Sequence, residues 1–218
     1  LIQTDLVWED RVKNLSHFER LFRSVNEDTD LILLPETFNT GFSINPTLCA
    51  ETMDGPSIGF LRKMANDRQV SVMTSLIIRE QQRVINRLVI ISPDGLIETY
   101  DKRHLFRLRE EYRLFDAGMH QATFMLKGWN IRPIICYDLR FPVWCRNTYS
   151  DTGYDYDLLV CIANWPASRA HVWKTLLMAR AIENQAYAIG VNRIGYDGHG
   201  TGHSGDSLVS DAKGNLMF

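Results

Sequence analysis

Two short stretches, "DLILLPE" (residues 30–36) and "DYDLLVCIAN" (155–164), place the strongest constraint on the fold. Each is strand-length and apolar without alternation. A strand with one wet face alternates polar and apolar side chains; a strand covered on both faces reads as a continuous apolar run. "VSVMTSLII" (70–78) and "RVINRLVII" (83–91) read as further strands. "SPDG" (92–95) is a turn, with proline at its second position and Asp-Gly after it, and "LIETYDK" (96–102) returns as the other arm of a hairpin. The stretch 122–138 repeats this pattern with its bend near Lys127-Gly128. "YAIGVNR" and the stretch 206–218 add strands.

Between these runs the apolar period changes to that of a helix. Residues 9–25 space Val12, Leu15, Phe18, Leu21, Phe22 and Val25 along one face. Pro56 is placed to open a second helix carrying Phe60, Leu61, Met64 and Ala65. Residues 168–186 form a third, with Ser168 as N-cap, and a short helix follows Cys136. Helices interleaved with crossover strands and hairpins define an α/β class with mixed sheets. No Pro/Gly/Ser-rich linker or internal repeat divides the chain, so residues 1–218 are expected to form a single domain. The opening "LIQTDL" reads as mid-strand and "GNLMF" stops just after a turn, so both ends are expected to be cut from a longer protein.

The formal net charge is −2, with both signs interspersed, which gives no electrostatic footprint for nucleic acid. No apolar run approaches the ~20 residues of a membrane span. The four cysteines, Cys49, Cys136, Cys145 and Cys161, form neither a C-x-x-C pair nor a disulfide framework, and the expected setting is the reducing cytoplasm.

Three reactive side chains each stand just past an apolar strand: Glu36 after "LILLP", Lys102 after "IETYD", Cys136 after "IRPII". Ligand sites of open α/β sheets gather outside strand carboxyl ends. Together there, the carboxylate can take the thiol proton, the thiolate can attack a carbonyl, and the ammonium can hold the resulting oxyanion. The backbone N–H of Tyr137 is a second oxyanion donor if the chain turns into a helix at that point. Each residue alone has an ordinary structural explanation: a packed thiol, a capping glutamate, a solvated lysine. Those explanations leave the shared strand-end placement unaccounted for.

"LLPETFNTGF", "YDKRHLF" and "ICYDLRFP", in this order, resemble the three signature segments of the nitrilase (carbon–nitrogen hydrolase) superfamily. The resemblance extends through residues 160–193 and the glycine-rich 198–207, and "YDKRHLFRL" and "NWPA" are nearest to its omega-amidase branch. That branch hydrolyses the terminal amide of 2-oxoglutaramate and 2-oxosuccinamate. The resemblance implies a four-layer αββα sandwich that forms a homodimer. It implies Glu36 as general base, Lys102 as oxyanion support, Cys136 as nucleophile forming a thioester, and a second glutamate, Glu111 in preference to Glu110. It implies a small-molecule amide and water as reactants, with no metal and no organic cofactor. The same three side chains serve the other branches, so a carbamoyl-amino-acid hydrolase, an aliphatic amidase and a nitrilase stay open. A catalytically silent scaffold is disfavoured because all three residue types are present.

Substrate-binding candidates are Phe42 and Trp165 as pocket walls and Arg140 for a substrate carboxylate, with Arg103 and Arg193 as rivals. Arg140 has an alternative in an ion pair with Asp138. Trp173, four residues before Leu177 on a helix, is expected in the core, as are Cys49, Cys145 and Cys161. His104 is expected to support the Lys102 loop. His199 and His203 lack a third partner at metal-ligand spacing, and "GHGTGHSG" precedes a strand rather than a helix, unlike a dinucleotide loop.

Overall fold

The computed structural model describes residues 1–151 and 153–218. One sheet contains β1 (Leu31–Leu33), β2 (Ser71–Glu80), β3 (Arg83–Ile91) and β4 (Ile97–Asp101), in that order. A second contains β5 (Phe124–Leu126), β6 (Trp129–Ile135), β7 (Leu158–Ala163), β8 (Tyr187–Asn192) and β9 (Leu208–Ser210), ordered β9-β8-β7-β6-β5. Both sheets are mixed. β1 runs parallel to β2, and β2-β3-β4 is an antiparallel meander. β6, β7 and β8 are parallel, with antiparallel strands at either edge. The three long helices are α1 (Arg11–Arg23), α2 (Pro56–Arg68) and α3 (Ala170–Asn184).

The continuous apolar runs are explained by the layers. Along β3, Val89 and Ile91 face α1 and α2, where they meet Phe18, Phe22, Leu61 and Ala65. The intervening Leu88 and Ile90 face the other way, against Val160 and Ile162 of β7. Along β7 the alternate residues Leu159, Cys161 and Ala163 lie under Trp173 and Leu177 of α3. Both faces of each central strand are therefore dry, and the arrangement is helix, sheet, sheet, helix. α3 sits close to bare backbone: a Cβ at Gly190 would lie 2.3 Å from Leu177 Cδ1 and 2.5 Å from Trp173 Cζ2.

Local signals fall where the sequence places them. Pro56 is the first residue of α2; the cap of α1, which the sequence reading did not single out, is Asp10, whose side chain accepts from the Lys13 N–H. Lys127 (φ +51°) and Gly128 (φ +84°) make the two-residue turn between β5 and β6, with the positive φ pair that a type I′ hairpin needs. Ser168 is a correction: it lies in a 3₁₀ turn, Ala167–Arg169, and Arg169 occupies the cap position without a side-chain cap bond. Pro166 leads into that turn, which delays the α-helix to Ala170. Among the described residues no helix is long and apolar enough to cross a membrane.

Candidate active site

Topology brings the three strand ends together. β4 is two antiparallel steps from β2, which is parallel to β1, so β1 and β4 point the same way and deliver Glu36 and Lys102 to one edge. β6 and β7 are parallel and deliver Cys136 and Asn164 to one edge of the second sheet. The sheets are joined there. The Asn164 backbone N–H donates to Glu36 Oε2 at 2.9 Å, and its side-chain amide donates to the Glu36 carbonyl at 2.6 Å.

Glu36, Lys102 and Glu111 form a buried ionic cluster. Lys102 Nζ donates to Glu36 Oε1 at 2.9 Å and to both Glu111 oxygens at 3.1 Å. Glu36 Oε1 also accepts from Asn86 Nδ2 at 2.8 Å, and Glu111 Oε2 accepts from the Phe106 N–H at 2.5 Å. Glu36 and Glu111 are fully buried and Lys102 is 1% exposed, so water screens none of these charges. Burial alone would lower the Lys102 pKa, but Glu111 and Glu36 more than offset it and hold the ammonium charged. Burial, reinforced by the charge of Glu36, raises Glu111 above its ordinary value against the pull of Lys102. Glu110 stands apart, on the surface, paired with Arg113 at 3.1 Å.

Cys136 occupies the junction between β6 and a 3₁₀ turn, Cys136–Arg140, and its backbone is left-handed (φ +45°). Thr37, next to Glu36, is also left-handed (φ +46°). A β-branched residue in that region is an outlier, and such strain of order 1–3 kcal/mol persists only where surrounding structure imposes it. The imposing contacts are visible. The Thr37 N–H is held by Ser75 Oγ at 2.9 Å. Asp138, fully buried, accepts from the Ile135 N–H at 3.1 Å, the Tyr100 hydroxyl at 2.7 Å and the His104 N–H at 2.8 Å. The turn bearing Cys136 is thereby tied to the loop after Lys102. His104 Nδ1 also meets Asp138 at 2.8 Å and its ring stacks on Phe141, in keeping with a supporting role. The Tyr137 N–H is in the first turn of a 3₁₀ segment, where backbone donors have no partner within the helix.

A cleft of about 290 Å³ opens over this cluster, with Lys102, Cys136, Tyr137, Phe42, Arg140 and Trp165 in its wall. Lys102 Nζ lies 4.8 Å from the centre of the Phe42 ring. Three readings of the sequence need correction. Arg140 does not pair with Asp138, whose carboxylate is taken by Tyr100, His104 and the Ile135 N–H; it stacks on Trp165 instead, at 5.4 Å. Arg193 is buried away from the cleft against Asp5 Oδ1 and the Leu6, Ile194 and Tyr196 carbonyls. Arg103 bonds to the Gly118 carbonyl and is absent from the cleft wall. Sequence reasoning missed Asn86, Asn164, Arg109 and Arg169. Asn164 had a signal, since it follows β7 as Glu36 follows β1; the others had none. Among the described residues no three His, Cys, Asp or Glu side chains converge as a metal site.

The thiols carry a pH signature. Burial pushes Cys136 and Cys161 well above an ordinary thiol, the former helped by Glu36 and opposed by Lys102, and raises Cys145 to about 12. Groups that hold their protons longer when folded contribute stability that is complete below the unfolded pKa and is lost above it. The unfolded thiol titrates near 9.0, so the thermal midpoint is expected to be level from pH 7 to 8.5 and to fall above pH 9. A calorimetric pH series checks this; a midpoint level to pH 10.5 would contradict it.

The profile of the carbon-nitrogen hydrolase family matches residues 1–217, and the chain belongs to that family. It is 44% identical to the omega-amidase YafV of Yersinia enterocolitica, across 100% of this chain and 82% of that protein. It is 32% identical to the 2-oxoglutaramate amidase of Bacillus subtilis, across 99% and 83%. A crystal structure of a CN-hydrolase superfamily protein from Xanthomonas campestris, with an arsenic adduct in its active site, superposes with a TM-score of 0.97 at 42% identity, covering 100% and 83%. Within the family, the chain is an amide-hydrolysing enzyme.

Proposed function

We propose that this enzyme hydrolyses the terminal amide of small 2-oxo acid amides, 2-oxoglutaramate and 2-oxosuccinamate, through a Cys136 thioester. The observation that carries the reading is a fully buried lysine held between two carboxylates beside a cysteine on a left-handed strand end. Because burial keeps the resting thiol protonated, proton removal accompanies attack. Glu36 takes the Cys136 proton as sulfur bonds to the amide carbon, and the carbonyl oxygen becomes an oxyanion. Lys102 Nζ and the Tyr137 N–H stabilise that oxyanion. As the C–N bond breaks, Glu36 returns the proton to nitrogen and ammonia leaves. Water then attacks the thioester, Glu36 takes its proton, and the acid departs as the proton returns to sulfur. Glu111 holds Lys102 charged and oriented throughout.

The names of the two curated relatives support the substrate class. Four free cysteines fit a reducing cytoplasm, and the family resemblance supports a homodimer. An ammonia-release panel tests the activity. Turnover of 2-oxoglutaramate is expected to exceed that of carbamoyl amino acids, simple aliphatic amides and nitriles by at least about 10-fold in kcat/KM, since a matched polar group is worth that much. A faster nitrile or carbamoyl substrate would move the chain to another branch of the family.

A further inference from the structure

We propose that the Arg109–Asp197 ion pair is a latch across the mouth of the cleft that limits the length of acyl chain the enzyme accepts. The proposal rests on amide hydrolysis itself and not on the 2-oxo acid reading above.

The cleft runs from a buried floor to an open rim. Lys102 at the floor is 1% exposed, and Leu108 at the rim is 76% exposed. Arg109 and Asp197 stand between these limits, with side chains 30% and 10% exposed. They belong to two loops, 88 positions apart in the chain, that both line the cleft. Arg109 Nη2 donates to Asp197 Oδ2 at 3.3 Å and to the Thr201 hydroxyl at 2.6 Å. The bond joins one wall to the other and closes part of the opening. The volume left, about 290 Å³, lies at the small end of ligand cavities, which run from about 300 to 1,000 Å³.

The two jaws differ in rigidity. Asp197 sits in a braced hairpin loop between strands Ile194–Tyr196 and Gly202–Ser204. Its Oδ1 accepts from the His199 N–H at 2.9 Å and the Thr201 N–H at 2.8 Å, and its own N–H donates to the Thr201 carbonyl at 3.0 Å. The His199 ring packs edge-on against Trp8, with centroids 5.2 Å apart. Burial raises the Asp197 pKa, but the two N–H donors and Arg109 more than offset it, so the carboxylate stays charged. Arg109 instead ends a 3₁₀ turn, Arg107–Arg109, in which no residue is buried. Little packing opposes displacement of that turn, and the charge-assisted bonds to Asp197 and Thr201 supply the restraint. A short acyl chain fits beneath the pair. A longer one must break it to reach solvent and forfeits the worth of the bond.

The two Asp197 oxygens have separate tasks, so Asp197→Asn can keep Oδ1 as the acceptor inside the loop while turning an NH₂ toward Arg109. Octanamide and butanamide differ only in length, and the ratio of their kcat/KM values within one preparation cancels any loss of folded enzyme. The parent is expected to prefer butanamide. Asp197→Asn and Arg109→Ala should each raise the octanamide-to-butanamide ratio about 10-fold, the worth of one charge-assisted hydrogen bond. Arg109→Lys, which retains the charge but not the fork, should raise it less. The double variant should exceed neither single, because the two residues act as one contact. Merely structural damage would slow both amides together and leave the ratio at the parent value. A second measurement needs no turnover: the rate of Cys136 alkylation by N-hexyliodoacetamide, relative to iodoacetamide, should rise by about the same 10-fold in these variants. A ratio within twofold of the parent in either measurement, effects that multiply in the double variant, or a parent with no preference for butanamide overturns the latch.

Discussion

Cys136→Ala is expected to remove amide hydrolysis by about 10⁵–10⁶-fold, the scale on which loss of a covalent nucleophile is felt, with the fold retained. The structural cost is small because only one sulfur is lost, at a residue that is already partly exposed. Alanine keeps the same Cβ at φ +45°, so the backbone strain is unchanged. Cys136→Gly should be equally inactive yet lose that strain, which separates chemistry from conformation. Iodoacetamide provides a parallel readout. Cys49, Cys145 and Cys161 are each at most 1% exposed, so a single adduct at Cys136 is expected to accompany complete inactivation. Ammonia release by Cys136→Ala at a tenth of the parent rate would sink the thioester scheme, and an unfolded variant, seen by circular dichroism, would contradict the structural claim.

Lys102→Met is expected to damage both activity and stability. It preserves length and shape but leaves Glu36 and Glu111 facing each other, both fully buried, with no cation between them. Removing one partner of a buried ionic set costs about 3–5 kcal/mol, because the remaining charge keeps its desolvation penalty. Loss of the oxyanion donor should lower kcat by about 10²–10³-fold. The pH dependence should change in a defined direction. Burial and the Glu36 charge already raise Glu111, and without Lys102 it rises further. A carboxyl whose folded pKa exceeds its unfolded value contributes stability that is complete at acid pH and is lost as pH rises through the folded pKa. The variant should therefore melt closest to the parent below about pH 4.5, the unfolded carboxyl value, and fall behind it towards neutrality. Adding Glu111→Gln should recover part of the stability without recovering activity. A Lys102→Met protein as stable as the parent at pH 8 would mean that the cluster is not the charged set drawn above.

Much of the architecture was legible because it rests on local rules. Continuous apolar runs required strands dry on both faces, and the layers of Leu88, Val89, Ile90 and Ile91 supply that cover. Pro56 and the Lys127-Gly128 turn act within a few residues of themselves, so their positions could be read directly. Ser168 failed because an intervening 3₁₀ turn moved the cap by one residue, a shift of the kind seen at helix ends. The arginines failed for a different reason. Sequence spacing put Arg140 near Asp138, but the Asp138 carboxylate was claimed by Tyr100, 38 positions away in the chain. Arg193 was drawn inward by Asp5, 188 positions away.

The sequence by itself determined which residue types stand at strand ends, and hence that a carboxylate, an ammonium and a thiol were available at Glu36, Lys102 and Cys136. Strand ends are local, fixed by where apolar runs stop. Only the tertiary structure decided that these ends share one edge, because strand direction and sheet order depend on pairings between distant segments such as β1 with β2 and β6 with β7. It also decided which glutamate enters the cluster. Glu110 and Glu111 are adjacent and chemically alike, but a left-handed Glu110 (φ +57°) leaves its own side chain in solvent and begins the short helix that carries Glu111 to Lys102. Which cations remain unpaired at the cleft was likewise a tertiary matter, since an arginine's partner is whichever carboxylate the packed chain brings within reach.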